Sequence, residues 1–378
     1  MKAIVNASIL TGGAFRTQQA LLFTDHILGL VDTPPEGTQI IDAKGGYVSA
    51  GLMDVHIHGF GGREAGDVGA DELLLMSREL AKHGVTAWLP TVSCLAWERY
   101  AQVLTDIGTA KRASFAPDFD GARILGAHVE GPFLNREKSG AQNPAHIIPP
   151  DWARIKPLLA DVRLITVAPE GEGAPELIRN LVRAGVTVSI GHTNATFEQA
   201  LEGIQAGATH ATHTFNAMPS LLHRQPGVLG AVLGDPRVYC EIIADGFHVH
   251  PSLLSMAAAL KGNKLVLVSD SIRFSGLPDG QYTIADQTVT VSGVECRLPD
   301  GTIAGSTLTM DRAVRNMQSF GGLTLAQALT VASQSPAASI GEATRGQLAP
   351  GYAADIAVFT GDMQPLMTFV GGNLVWQG

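Results

Sequence analysis

The sequence predicts an α/β fold: a (β/α)8 TIM-like barrel with a small discontinuous β-sandwich domain built from both chain ends. Three observations carry that prediction. Short apolar strands alternate with helical stretches through the middle of the chain, β-type runs occupy both ends, and groups able to ligate metal close most of the central strands.

The eight central strands read as GLMDVHIHG, GVTAWLPTV, RILGAHVEGP, VRLITVAPE, GVTVSIGHT, THATHTFNA, VYCEIIADGFH and KLVLVSDS. Alternation with helices is the signature of βα units around a parallel sheet. The helices show apolar stripes that stop near a glycine: Leu73, Met76 and Leu80 before Gly84, Leu177, Leu181 and Val182 before Gly185, and Phe197, Leu201 and Ile204 before Gly207. The outer runs are AIVNASIL, ALLFTDHILGLV and TQIIDAKGGYV near one end, with GQLAPGYAADIAVFT and MTFVGGNLVWQG near the other. Gly, Pro and Asp turn signals separate them. These two half-sheets are expected to pair, giving a small β domain at residues 1–48 with 348–378 and a barrel at 49–347. A β-rich stretch from Ser271 to about Ser306 is expected to form a hairpin excursion over the barrel mouth.

At 378 residues the chain exceeds the ~250–300 at which a single core usually stops growing, which agrees with one large and one small domain. A composition of 45% hydrophobic and 16% charged residues excludes disordered and fibrous classes. The 26 Lys and Arg against 35 Asp and Glu leave a formal charge of −9, a field that repels polyanions, so no nucleic-acid partner is expected. Cys94, Cys240 and Cys296 form no Cys-x-x-Cys pair and read as reduced thiols. No apolar run approaches the ~20 residues of a membrane helix, and the first residues lack a signal-peptide pattern. A cytoplasmic location without membrane association is the expectation.

In a barrel of this kind catalytic groups gather at the C-terminal ends of the strands. Here the first strand ends in Asp54, His56 and His58, the third in Glu130, the fifth in His192, the sixth in His213, the seventh in His248 and the eighth in Asp270. His56 and His58 lie two apart on a strand and so share a face. Imidazole and carboxylate suit zinc, iron or manganese, and three protein ligands leave a coordination position for water, whose pKa then falls to near ~7. A lone His-x-His is commonly just two polar side chains; ligands at six strand ends point to a hydrolytic metal site. His128, two before Glu130, and His210, three before His213, are alternatives as ligand or ligand support. His250 reads as supporting, and His26, His83 and His146 as surface or loop histidines. The fourth strand lacks the lysine that bridges two metals in many barrel hydrolases, which makes Glu130 the substitute bridge.

The first-strand motif, HVEGPFLN with GAQNP after it, IGHT, HTFNAM with RQPG, ADGFHVH, LVSDS and GTIAGSTLTMDRAVRN resemble the N-acetylglucosamine-6-phosphate deacetylase family of the amidohydrolase superfamily. The resemblance spans nearly the whole chain. It implies that Glu130, His192 and His213 are the principal ligands of a divalent metal, zinc foremost, with iron, manganese or cobalt as alternatives. Some members carry glutamine and asparagine at the positions of His56 and His58 and use a single ion; the histidines can hold a second, so one or two ions per subunit are expected. The resemblance further implies Asp270 as catalytic acid/base and His248 in contact with the acetamide. Ala141, Asn216, Ala217, Arg224 and the segment Ile303, Ala304, Gly305 match substrate-binding positions, with Arg224 facing the sugar phosphate, from a neighbouring subunit of a homodimer or homotetramer. Gln142 stands where some members have histidine, which bears on phosphate or subunit contacts.

The implied reaction is hydrolysis of the N-acetyl amide of N-acetyl-D-glucosamine 6-phosphate to glucosamine 6-phosphate and acetate, in amino-sugar catabolism. Hydroxide at the metal attacks the carbonyl, and Asp270 acts as base and then acid. Three alternatives stand beside it: the galactosamine epimer as substrate, a cyclic amidase, and a catalytically dead sugar-phosphate sensor. The missing fourth-strand lysine speaks against the second, and the retained Asp270 against the third.

Overall fold

The computed structural model describes the chain apart from residues 285, 286, 298, 300 and 302, and apart from the side chains at 284, 287 and 304. Its centre is a barrel of eight parallel strands in sequence order: Leu52–Ile57, Val85–Val92, Ala127–Glu130, Val162–Val167, Thr187–Ile190, His210–Ala211, Tyr239–Ile243 and Leu265–Val268. The seam between the last and first strands is joined by the backbone N–H of Asp270, which donates to the carbonyl of His56 at 2.9 Å.

Strand alternation sends one set of side chains to the helices and the other into the barrel. On the seventh strand, the Cys240 thiol reaches the Val232 carbonyl of the covering helix Gly227–Gly234, so its neighbour Glu241 points inward. The inner set is unusually polar: His56, His128, Thr166, Ser189, His210 and Glu241 are all buried. Such groups tolerate burial only when hydrogen-bonded, and the pairing they adopt defines the site below.

Two expected strands are shorter than their sequence runs. Gly126, at φ +146°, breaks the third into Arg123–Ile124 and Ala127–Glu130, and the sixth leaves the ladder at Ala211 to turn toward the mouth. Helix Ala70–Ala81 buries Leu73, Met76 and Leu80 as expected. In helix Ala174–Arg183 the buried stripe is Leu177, Ile178 and Leu181, and Val182 is 39% exposed, a rotation of the face by one residue. In helix Phe197–Ala206, Ala200 and Gly203 form the contact face with Ile204, because a Cβ at Gly203 would meet Pro169 at 2.7 Å; Phe197 and Leu201 are left half-buried on the rim.

Both ends of the chain build the second lobe. Tyr47–Ala50 pairs in parallel with Ser8–Thr11 on one side and antiparallel with Ile356–Phe359 on the other, within a six-stranded sheet that includes Pro365–Val370 and Asn373–Gln377. A four-stranded sheet of Lys2–Val5, Ala20–Phe23, Ile27–Val31 and Gln39–Asp42 completes a sandwich whose core holds Ile4, Leu21, Val48, Ile356 and an edge-on ring pair of Phe23 and Phe369.

After the eighth strand the chain makes a four-stranded antiparallel sheet from Gly280–Ile284, Gln287–Ser292, Glu295–Arg297 and Ile303–Ser306. Its base is tied to the barrel, since Ser306 donates its N–H to the Asp270 carbonyl (3.3 Å) and accepts from Ile272 (3.0 Å). Among the described residues, no helix is long and apolar enough to cross a membrane.

Candidate metal centre

Four imidazoles converge on one buried carboxylate. Glu130 Oε1 lies 3.0 Å from His192 Nε2, 3.0 Å from His213 Nε2 and 3.4 Å from His56 Nε2, while Oε2 lies 3.2 Å from His58 Nε2. Asp270 Oδ1 stands 3.4 Å from the Nε2 atoms of both His56 and His58. Two triads of ligand atoms therefore share Glu130: one with His56 and His58, the other with His192 and His213.

The outer nitrogens decide what the inner ones can do. His192 Nδ1 sits 2.7 Å from the Lys138 carbonyl, and His56 Nδ1 sits 2.8 Å from Glu241 Oε2. Both partners only accept, so each Nδ1 carries a proton, and once a cation occupies the pocket each ring can turn an Nε2 lone pair inward beside Glu130. Lone pairs facing a carboxylate at 3.0–3.4 Å repel unless a cation lies among them. The donor set thus fits a divalent ion, and the outer hydrogen bonds are those that orient metal-binding histidines.

The charge balance leads to the same place. Burial disfavours a charged His56, yet Glu241, Asp270 and Glu130 outweigh it and raise its pKa to about 9. Burial likewise opposes charge on His58 and is outweighed by Asp270 and Glu130, which hold its pKa well above the ordinary histidine value. Burial alone would raise Glu130 and Asp270, but the imidazoles, His192 and His56 for the first and His56 and His58 for the second, hold both carboxyls below the usual range. The pocket is built to attract positive charge.

Backbone strain is concentrated here. His192 (φ 47°), His213 (27°), Phe215 (85°), Ala217 (52°) and Asp270 (48°) all occupy the left-handed region, which non-glycine residues seldom adopt. The turns they make aim side chains at one point. Glu170, at the end of the fourth strand, supports them by accepting from the Asn135 amide (2.8 Å), the Asn194 N–H (2.7 Å) and the Thr193 hydroxyl.

A cleft of about 440 Å³ opens above the carboxylate. Of the expected substrate contacts, Ala141, Asn216, Ala217, His248, Ile303 and Gly305 line it. The Ala304 side chain falls outside the described residues. Asp245 Oδ2 takes the Nδ1 position of His248 at 2.6 Å, which leaves Nε2 as the ring nitrogen free for a ligand. Arg224 is exposed and lies outside the cleft of its own chain.

Some strand-end groups are not gathered. Asp54 accepts instead from the backbone of His56 and Ser269, and burial pushes its pKa up to about 7. His128 uses one nitrogen on the Val55 carbonyl (3.1 Å) and the other on Thr166 (2.9 Å), and His210 lies beside Ser189 and Glu241. His250 caps helix Pro251–Lys261 through Nδ1. His83 is half-buried against Asp311, rather than a bland loop residue. Two groups escape the strand-end rule: Glu241, in the middle of a strand, whose signal is a lone carboxylate in the apolar run YCEII, and Gln142, on a loop, as a partner of Glu130.

Comparison with known proteins sets this geometry in a family. The Amidohydrolase family model matches residues 47–375. An N-acetylglucosamine-6-phosphate deacetylase of Lysinibacillus sphaericus is 35% identical over 328 residues, covering 85% of this chain and 84% of that one. An N-acetylgalactosamine-6-phosphate deacetylase of Escherichia coli is 33% identical over 371 residues, 97% of each chain. The solved structure of a variant N-acetyl-D-glucosamine-6-phosphate deacetylase from Mycobacterium smegmatis, in complex with N-acetyl-D-glucosamine-6-phosphate, superposes with a TM-score of 0.90 at 30% identity and 99% coverage of both chains. An amidohydrolase implies a divalent metal, and among the described residues the two triads around Glu130 are able to hold one; a third group, His56, His128 and Glu241, already has His56 Nδ1 and both His128 nitrogens paired.

Proposed function

This chain belongs to the amidohydrolase family, and from that premise we propose that it hydrolyses the N-acetyl amide of N-acetyl-D-glucosamine 6-phosphate, releasing acetate and glucosamine 6-phosphate. The observation that carries the reading is Asp270 Oδ1 poised 3.4 Å from two ligand nitrogens at the floor of a cleft walled by His248. Glu130, His192 and His213 would hold one ion, and His56 and His58 with Glu130 another. Mixed imidazole and carboxylate donors suit zinc, with iron, manganese or cobalt as alternatives. When bound between these residues, a divalent ion would supply Lewis acidity for the amide carbonyl and lower the pKa of water toward neutral.

The chain's own groups do the rest. Asp270 takes the proton from the attacking water on Oδ1 and returns it to the amide nitrogen, because an amine leaves only when protonated. His248, fixed by Asp245, orients the acetamide through Nε2. Asn216 and Ala217 face the sugar, and Ile303 with Gly305 closes over it from the excursion sheet. Phosphate needs a cation, and Arg273, which lines the cleft, is tied there to Glu64 and Asp67. An exposed Arg224, flanked by Leu221 (48% exposed) and Leu222 (52%), supports delivery from a neighbouring copy in a homodimer. Three free, buried thiols support a cytoplasmic setting. The division into a β domain at 1–48 with 348–378 and a barrel at 49–347 belongs to the same proposal.

The galactosamine epimer is a second reading, favoured by the relative from Escherichia coli that aligns over 97% of the chain. Amine release from both 6-phosphates by the purified protein, with metal analysis of the same sample, tests the two together. Turnover of the galactosamine epimer alone selects the second reading, and turnover of neither rejects both.

A further inference from the structure

We propose that Glu241 is a positioning residue for the metal centre, holding His56 and His213 in their metal-facing arrangement from inside the barrel. The inference rests on the reading of the site as that of a metal-dependent hydrolase. One oxygen atom carries it: Glu241 Oε2 accepts from His56 Nδ1–H at 2.8 Å and from the backbone N–H of His213 at 2.9 Å. A single acceptor on the seventh strand thereby ties a side chain of the first strand to the strained turn of the sixth, where His213 sits at φ 27°.

A row of hydrogen bonds beneath Glu241 sets the tautomer of the imidazole that faces it. His128 Nδ1 lies 3.1 Å from the Val55 carbonyl and must carry its proton there, so its Nε2 accepts from the Thr166 hydroxyl (2.9 Å). Thr166 then accepts from Thr212 (2.8 Å) and Thr212 from Ser189 (2.6 Å), which leaves Ser189 to accept from His210 Nδ1 (3.3 Å). One carbonyl thus sets the direction of a whole row of hydroxyls. The row ends with the protonated nitrogen of His210 facing Glu241 Oε1 at 3.5 Å.

Among the described residues, the basic side chains within ion-pair distance of Glu241 are the imidazoles of His56 and His210, and Oε1 has no hydrogen-bond partner. A carboxylate buried so completely is costly to keep charged unless that charge is used. Here it acts along the His56 ring, fixing the tautomer and making Nε2 a stronger donor toward a cation.

The test compares Glu241→Gln and Glu241→Leu with the unaltered protein, each stripped of metal and titrated with Co²⁺ while the visible ligand-field absorption and bound metal are read. Glutamine keeps the shape and an acceptor oxygen but loses the charge. It is expected to weaken the ion at His56 and His58 by about 10–100-fold while the ion at His192 and His213 is largely kept. Leucine also strands the His213 N–H, so both ions should weaken. A merely structural role would lower the Tm of the metal-free glutamine variant and weaken both ions alike, and that result overturns the proposal. So does unchanged affinity at both positions, or an unaltered protein that binds no ion at His56. If leucine abolishes folding, the isosteric glutamine variant still decides. Acetate release by the unaltered protein reports separately on the functional reading: normal metal binding without acetate release sinks that reading and leaves the role of Glu241 intact.

Discussion

The side-chain amide of Gln142 donates to Glu130 Oε2, while its carbonyl oxygen accepts from the backbone N–H of Cys94 at 2.6 Å. A loop residue placed by its sequence context among phosphate or subunit contacts is thus clamped to the central carboxylate. Anchored at both ends, it fixes the plane of Glu130 and so which histidines each of its two oxygens faces. Gln142→Leu should lower metal affinity by about 10–100-fold with the fold retained. Metal content after dialysis against a calibrated chelator checks this, and full retention would return Gln142 to a role in the cleft.

Asp270→Asn keeps shape and hydrogen bonding but cannot shuttle a proton. Its kcat should fall roughly 10²–10⁴-fold, with metal bound and KM little changed. A variant that loses its metal instead would make Asp270 a ligand.

Arg224→Ala should raise KM for the phosphorylated sugar and leave hydrolysis of the unphosphorylated sugar nearly unchanged. Because Arg224 stands outside the cleft of its own chain, the loss should be complemented when the variant is mixed with a cleft-dead Asp270→Asn protein under exchanging conditions. Equal losses on both sugars would point to a structural role.

Asp311 offers a prediction away from the cleft. Burial would raise its pKa, but the hydrogen bond to His83 (3.0 Å) and the Arg315 guanidinium (2.8 Å) outweigh that and bring it from 3.8 to about 2. A carboxyl depressed in the folded state stabilises above its unfolded pKa, and the benefit fades as pH falls from about 4 through about 2. The shift corresponds to about 2 kcal/mol. Asp311→Asn should therefore destabilise by about that amount at pH 7, and the gap to the unaltered protein should shrink below pH 4 in denaturant unfolding. A gap independent of pH would show that the charge is not what matters.

Much of the barrel was legible because ligand chemistry and strand geometry constrain each other. Histidine and carboxylate at strand ends can meet only at one mouth, so the four imidazoles and Asp270 gathered around Glu130 were visible as sequence. Glu241 was not, since a mid-strand carboxylate looks the same whether it faces solvent, a helix or the barrel interior; only closure of the barrel brings it to His56. Gln142 depends on a loop whose path no periodicity encodes. The mistaken helix faces have a packing cause: small residues such as Gly203 let the backbone approach Pro169, so hydrophobicity alone misassigns the contact stripe.

The pairing of Tyr47–Ala50 has a consequence for how the chain is made. One neighbour, Ser8–Thr11, is made before this strand, but the other, Ile356–Phe359, follows only after the whole barrel has been synthesised. At translation speeds of ~5–20 residues per second, roughly 15–60 s pass with that edge open. An unpaired edge is a template for other nascent chains. A ribosome stalled within helix Leu325–Ser339 would therefore hold a nearly finished barrel beside an unfinished sheet, and truncations ending before Ile356 are expected to aggregate through the N-terminal lobe.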